Sequence, residues 1–126
     1  RTMRLLAHNM LACNIKGVVN GYPLKITSKK QESTENEFNK DFIVHMLAKI
    51  DWPAFVYGAK VLGCLDGMPE DGVPADAVDD EEFLRKVHHA LLEVAVVEGE
   101  LECPESGRKF PISNTIPNML LNEDEV

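Results

Sequence analysis

Val94-Ala95-Val96-Val97-Glu98-Gly99-Glu100-Leu101-Glu102-Cys103-Pro104-Glu105-Ser106-Gly107-Arg108-Lys109-Phe110-Pro111-Ile112 is the stretch that decides the architecture. Residues 94–97 are a continuous apolar run, and residues 100–103 alternate between acidic and apolar. Both patterns suit a strand, with Gly99 expected to break it. Residues 103–107 read as a tight turn with Ser106-Gly107 at its tip. Residues 108–112 then return as the second arm of a hairpin. Pro111 has no N–H to give a ladder, which puts that arm at an edge or an end of the sheet.

Working outward, the period upstream becomes helical. Asn39 is placed to cap a helix over about 40–49, with Asp41 in the positive first turn and Phe38 and Ile43 at staple positions. Asp51 caps a second helix, with Pro53 tolerated in its first turn and Gly63 as its stop. Asp79 and Glu82 stand at capping-box spacing before a third, whose apolar face is Phe83, Leu84, Val87, Leu91 and Leu92. Residues 66–82 hold eight acids and no base and read as an acidic surface loop. Nearer the start, residues 3–11 favour neither period. Residues 17–26 read as extended around an Asn20-Gly21 turn, and residues 28–36 as a polar loop. Extended pieces, three helices and then strands describe an α+β fold. Its small antiparallel sheet domain is built from both ends, residues 1–36 and 93–126, with a helical insertion over 37–92. The sheet domain is zinc-ribbon-like without the full cysteine set.

The chain has 126 residues, enough for one modest core and too few for a nucleotide-binding catalytic domain together with a substrate domain. Its net charge of −8 disfavours an autonomous nucleic-acid binder. The charge is uneven, because residues 1–31 carry six bases and no acid. No run of about 18 apolar residues exists to cross a bilayer. Three cysteines, an odd and sparse set, read as reduced thiols of cytosol or nucleus.

No phosphate-cradling glycine motif is present. Cys103-Pro104-x-x-Gly107 has the outline of a zinc knuckle, but Ser106 stands where a second thiolate is needed, and Cys13 is alone near Lys16 and Gly17. A neutral hydroxyl does not replace a thiolate on zinc, so no metal site is expected. His88-His89 point about 100° apart on a helix and cannot chelate one ion together. The expected arrangement is one at the core edge and one exposed. No catalytic set remains. The apolar tail Ile116-Pro117-Asn118-Met119-Leu120-Leu121, beside an edge arm, suits either a core segment or an exposed strip awaiting a partner. A small zinc-ribbon-like nucleic-acid-binding module, using the basic start, is the alternative reading.

Several strings, in this order and spacing, resemble one family: Arg4-Leu5-Leu6-Ala7-His8-Asn9-Met10-Leu11, Asp51-Trp52-Pro53-Ala54, His88-His89-Ala90-Leu91-Leu92-Glu93-Val94, Val97 to Arg108, and Phe110-Pro111-Ile112 with Ile116 to Leu121. They resemble the eukaryotic multifunctional methyltransferase subunits, which activate tRNA methyltransferases. The resemblance implies a non-catalytic subunit that forms heterodimers with S-adenosylmethionine-dependent methyltransferases acting on tRNA, ribosomal RNA and a translation release factor. It implies that the partner holds the cofactor, that RNA is met only through the partner, that no membrane is involved, and that the setting is cytoplasm and nucleus. Some members carry a four-cysteine zinc site, and this chain resembles the zinc-free ones. The resemblance implies binding by strand addition plus an apolar contact. Ile116, Pro117, Asn118, Met119, Leu120 and Leu121 are the first candidates for that contact. Leu5, His8, Asn9, Phe110, Pro111 and Ile112 are the next.

Overall fold

A computed structural model describes residues 2–125. The hairpin is its centre. Strand β2 (Val94–Glu102) pairs antiparallel with β3 (Lys109–Ser113), setting Leu101 opposite Phe110 and Gly99 opposite Ile112. The turn between them is closed by Cys103 N–H to Arg108 O at 2.8 Å and Gly107 N–H to Cys103 O at 3.0 Å. On its other side β2 pairs with β1 (Lys25–Ser33), and β3 pairs with the two-residue β4 (Ile116–Pro117). The result is one open four-stranded antiparallel sheet in the order β1-β2-β3-β4.

Two expectations for this sheet need correction. Residues 28–33 form a strand, not a loop. Only Ile26 of β1 is buried, so this strand shows no apolar alternation, and its partner's backbone defines it instead. Gly99 does not break β2, which continues through it. A Cβ at Gly99 would lie 2.1 Å from Thr27 O, so glycine is what lets β1 approach there. The β1–β2 register shifts immediately afterwards, between Ser28 and Gln31.

Helix α1 (Leu5–Met10) precedes the sheet, and α2 (Lys40–Leu47), α3 (Trp52–Leu62) and α4 (Glu81–His88) lie between β1 and β2. The caps of α2 and α3 form as expected: Asn39 Oδ1 accepts from Phe42 N at 3.1 Å and Asp51 Oδ1 from Ala54 N at 3.0 Å. Gly63 ends α3 in the left-handed region, φ 73°. The α4 cap is Asp80 rather than Asp79, which ends a 3₁₀ turn. The Asp80 carboxylate takes the Phe83 N–H at 3.1 Å. Residues His89–Glu93 follow as a π-helical turn that leads into β2 at Val94. The Asn20-Gly21 turn is also displaced. The chain turns at Lys16-Gly17, with Gly17 at φ +89°, while Gly21 lies where a Cβ would come within 2.4 Å of Cys13 O.

One buried cluster joins sheet and helices. Leu5, Phe55 and Leu84 meet Val96, Leu101 and Phe110 in it. Each such large side chain contributes about 1.5–3 kcal/mol on full burial. Leu5 of α1 packs on α3 at Gly58, where a Cβ would stand 2.4 Å from the Leu5 Cδ2.

The close approach at Gly99 makes a direct prediction. Gly99→Ala should lower unfolding free energy by about 2 kcal/mol, the usual cost of forcing atoms into a filled space. Gly72→Ala, which meets nothing within 4 Å and has no left-handed φ, should leave stability unchanged. Urea unfolding of both variants checks the pair.

Candidate docking edge

The histidines and cysteines offer no catalytic geometry. His88 is buried, and its Nε2 lies 3.0 Å from Asn36 O. The half-exposed His89 reaches Glu93 Oε1 through Nδ1 at 2.8 Å. Burial works against the charge of Glu93. The Asn36 N–H and the two histidines outweigh it and hold the carboxyl below the usual carboxylate value. These contacts tie the π-helical turn to residues 34–36. His8 is wholly buried, with Nε2 2.8 Å from Leu24 O, and burial pushes its pKa down.

Cys13 and Cys103 are both buried free thiols that influence each other's ionisation. Burial raises Cys13. Burial also opposes ionisation of Cys103, but donors from Ser106 outweigh it and lower that thiol, including the Ser106 N–H at 3.4 Å from Sγ. Among the described residues no group of three or more His, Cys, Asp or Glu is placed to hold a metal. Two thiols and a neutral hydroxyl do not fit a tetrahedral zinc site. A carboxylate holds the two loops together instead. Glu105 accepts from Val19 N at 3.1 Å and Asn20 N at 3.1 Å, joining the turn after β2 to the segment after Cys13.

The two edges of the sheet differ. At the β1 edge the Ile26 N–H already donates to Tyr57 Oη at 3.0 Å, Gln31 Nε2 donates to Leu62 O at 2.8 Å, and the strand carries Lys25, Lys29 and Lys30. Used donors, lysines and a register shift are ordinary protections of an edge. The β4 edge has neither lysines nor a register shift, and its donors go only to nearby side chains of the tail, Leu120 N–H to Asn118 Oδ1 at 3.1 Å and Asn122 N–H to Glu125 Oε1 at 2.8 Å. After Asn118 N–H bonds Pro111 O at 2.9 Å, the chain runs on through Met119 to Leu121 without a strand partner. Its side chains alternate. Pro117, Met119 and Leu121 turn half-buried toward the core. Ile116 and Leu120 face solvent, 56% and 79% exposed, with Asn118 between them.

Beside this tail lie two grooves, the first of mixed polarity with Asn14 on its wall and the second mainly apolar. The first, of about 240 Å³, is lined by Met10, Leu11, Met119 and Leu121 with Phe110 at its floor. A second, of about 230 Å³, is lined by Leu6, Ala7, Met10 and Leu92. Met10 belongs to both and is 61% exposed.

Six of the expected contact residues therefore lie along one edge: Ile116, Pro117, Asn118, Met119, Leu120 and Leu121. Pro111 is exposed on the neighbouring strand. The others need correction. Leu5, Phe110 and Ile112 are core residues, wholly or almost wholly buried. His8 is committed to Leu24. Asn9 pairs its carboxamide with the Asp51 backbone, donating to Asp51 O and accepting from Asp51 N at 2.9 Å each. Their side chains hold the fold and are not surface contacts. The apolar residues beside the tail that sequence reasoning passed over are the exposed Met10 and the half-buried Leu6, Leu11 and Leu92. The i, i+4 pair Leu6 and Met10 is the signal that would have found the outer face of α1.

A profile of the family described as Trm112p-like protein matches residues 4–114. The chain is 55% identical to multifunctional methyltransferase subunit TRM112 homolog A of Arabidopsis thaliana, over 98% of this chain and all of that protein. It is 46% identical to the TRM112-like protein of Mus musculus, over 98% of each. It is 30% identical to TRM112 of Saccharomyces cerevisiae, over 94% of this chain and 96% of that one. Among solved structures it resembles a chain in the E. cuniculi Mtq2–Trm112 complex, described as responsible for methylation of the eRF1 translation termination factor. That match has a TM-score of 0.53 and 20% identity, covering 94% of this chain and 95% of the other, and it bears on the fold.

The Glu105 clamp predicts a stability that depends on a carboxylate and not on a metal. Glu105→Ala should cost about 1 kcal/mol, the scale of lost hydrogen bonds at an accessible site. A strong chelator should leave the melting temperature of the wild-type chain unmoved. Thermal melts with and without chelator test both.

Proposed function

This chain belongs to the Trm112p-like family, and from that premise we propose that it is the non-catalytic activating subunit of methyltransferases, binding its catalytic partner along the β4 edge. The relatives are named as multifunctional methyltransferase subunits, and the structural neighbour is half of a complex with a methyltransferase. The enzymes it serves methylate tRNA, ribosomal RNA and a release factor. Their S-adenosylmethionine is held by the partner, RNA reaches the assembly through that partner, and the setting is cytoplasm and nucleus.

The observation that carries the binding mode is the contrast between the two sheet edges. An open edge continuing into an extended apolar tail can extend a partner's sheet. Main-chain hydrogen bonds do not demand one partner sequence, which suits a subunit shared by several enzymes. The apolar surface beside the edge supplies the rest of the contact. Met10 and Met119 can adapt their shape to different partner surfaces. Binding the folded catalytic chain stabilises it by mass action, which is activation without chemistry.

Leu120→Glu places a charge on a side chain that is 79% exposed, so the fold should survive. Buried against a partner, that charge should cost about 3 kcal/mol or more, roughly a hundredfold in affinity. Co-purification with a methyltransferase should be lost. Val78→Glu, half-exposed on the helical part, should co-purify as wild type does. Unchanged capture by Leu120→Glu would remove the tail from the interface.

A further inference from the structure

We propose that Arg108 is the positioning residue of the docking edge, locking the tail into its extended form before a partner arrives. The proposal rests on the edge reading above and deepens it. Beyond the bond from Asn118 N to Pro111 O, no strand partner holds residues 119–122. Met119 and Leu121 rest half-buried against the core and Leu120 N–H bonds Asn118 Oδ1 locally at 3.1 Å, and the side chain that grips this backbone from just before β3 is one guanidinium. Arg108 Nε donates to Glu125 Oε2 at 2.8 Å, and its Nη2 donates to Glu125 Oε1 at 3.2 Å and to Leu120 O at 3.3 Å. The carboxylate passes the restraint on, since Glu125 Oε1 also accepts from Asn122 N at 2.8 Å. Glu125 O accepts from Lys16 N at 2.7 Å, which anchors the far end of the tail to the loop after Cys13.

The guanidinium is itself held. It lies over the Phe110 ring, 4.9 Å from the centroid, and Nη1 donates to Lys109 O. Arginine suits this place because its planar fork meets a carboxylate with two parallel bonds and still stacks on an aromatic ring. The pair is a mutual one: the contact holds the Glu125 carboxyl below its usual range. An extended segment already ordered loses less freedom when a partner strand adds to it, so affinity should track the lock.

Three variants of the full chain test this against a co-expressed Mtq2-type catalytic subunit: Arg108→Gln, Glu125→Gln, and the double variant that carries both. Amide relaxation should show residues 119–122 becoming mobile in each single variant, with β2 unchanged. Affinity should fall about tenfold in each single variant, and the double variant should fall little further, because either change breaks the same contact. Non-additive loss is the readout two independent destabilisations would not give. Leu120→Glu, measured alongside, separates the two readings. If it binds as wild type does, the edge reading fails and the lock falls with it. If Leu120→Glu loses binding while Arg108→Gln keeps full affinity, the lock alone is overturned, whether or not the tail has loosened. A double variant whose loss is the full product of the two single losses also overturns it.

Discussion

The carboxamide of Asn9 and the backbone of Asp51 exchange two hydrogen bonds, and much of the molecule's working surface depends on that pairing. A helix of six residues is far too short to persist alone in water. Here α1 is fixed at its carboxyl end to the residue that caps α3. His8 bonds Leu24 O and Tyr22 Oη donates to Asn9 O, so the irregular segment before β1 is fixed by the same few side chains. Leu5 locks into the space above Gly58. With one face so thoroughly committed, the opposite face is set as well, and Leu6 and Met10 point outward beside the tail. His8 and Asn9, expected as contact candidates, instead hold α1 in place through Leu24 and Asp51.

The region that resembles a zinc knuckle illustrates a different way of holding two loops. A metal gathers four ligands and can supply much of a small domain's folding energy. Here two buried thiols remain while a glutamate outside the pair collects backbone N–H groups from the opposite loop. Arg108 and Glu125 then tie the chain's end to the same region, through Lys16 N–H. Several modest bonds, spread over the loops, take the place of one strong centre. Such an arrangement leaves the knuckle's shape in the hands of ordinary side chains, each of which can also serve the neighbouring surface.

The sequence was legible where side chains decide the outcome. Asn39, Asp51 and Gly63 act through their own atoms or conformational freedom, and each lies where its chemistry says it should. The α+β class followed from the change of period between residues 92 and 94. The failures fall where the backbone of another segment decides. β1 beyond Ile26 has no buried face to reveal it, and only its pairing with β2 makes it a strand. Gly99 looks like a break in isolation and is a close approach in context. The candidate contacts divided in the same way. Five of the tail's six residues are apolar beside an edge arm, which left core segment and exposed strip both open, and the structure alternates between the two. The inward direction of Leu5, His8 and Phe110 depends on neighbours far away in sequence, and no local period carries it.

An interaction subunit must keep an adhesive surface without aggregating, and the sheet resolves this by treating its edges unequally. The β1 edge commits its Ile26 N–H to Tyr57 and carries lysines, so it is a poor template for another copy. The β4 edge stays open, but it is short: two paired residues and a tail. Identical chains meeting there would have little ladder to form, whereas a catalytic domain with a longer exposed strand and an apolar surface could satisfy both the backbone groups and the side chains around Met10 and Met119. The acidic stretch at residues 66–82 adds repulsion between copies through a net charge of −8. Selectivity for a large partner over a second copy then comes from length and charge, not from a unique side-chain code. On the proposed reading, the same edge would be free to serve more than one enzyme.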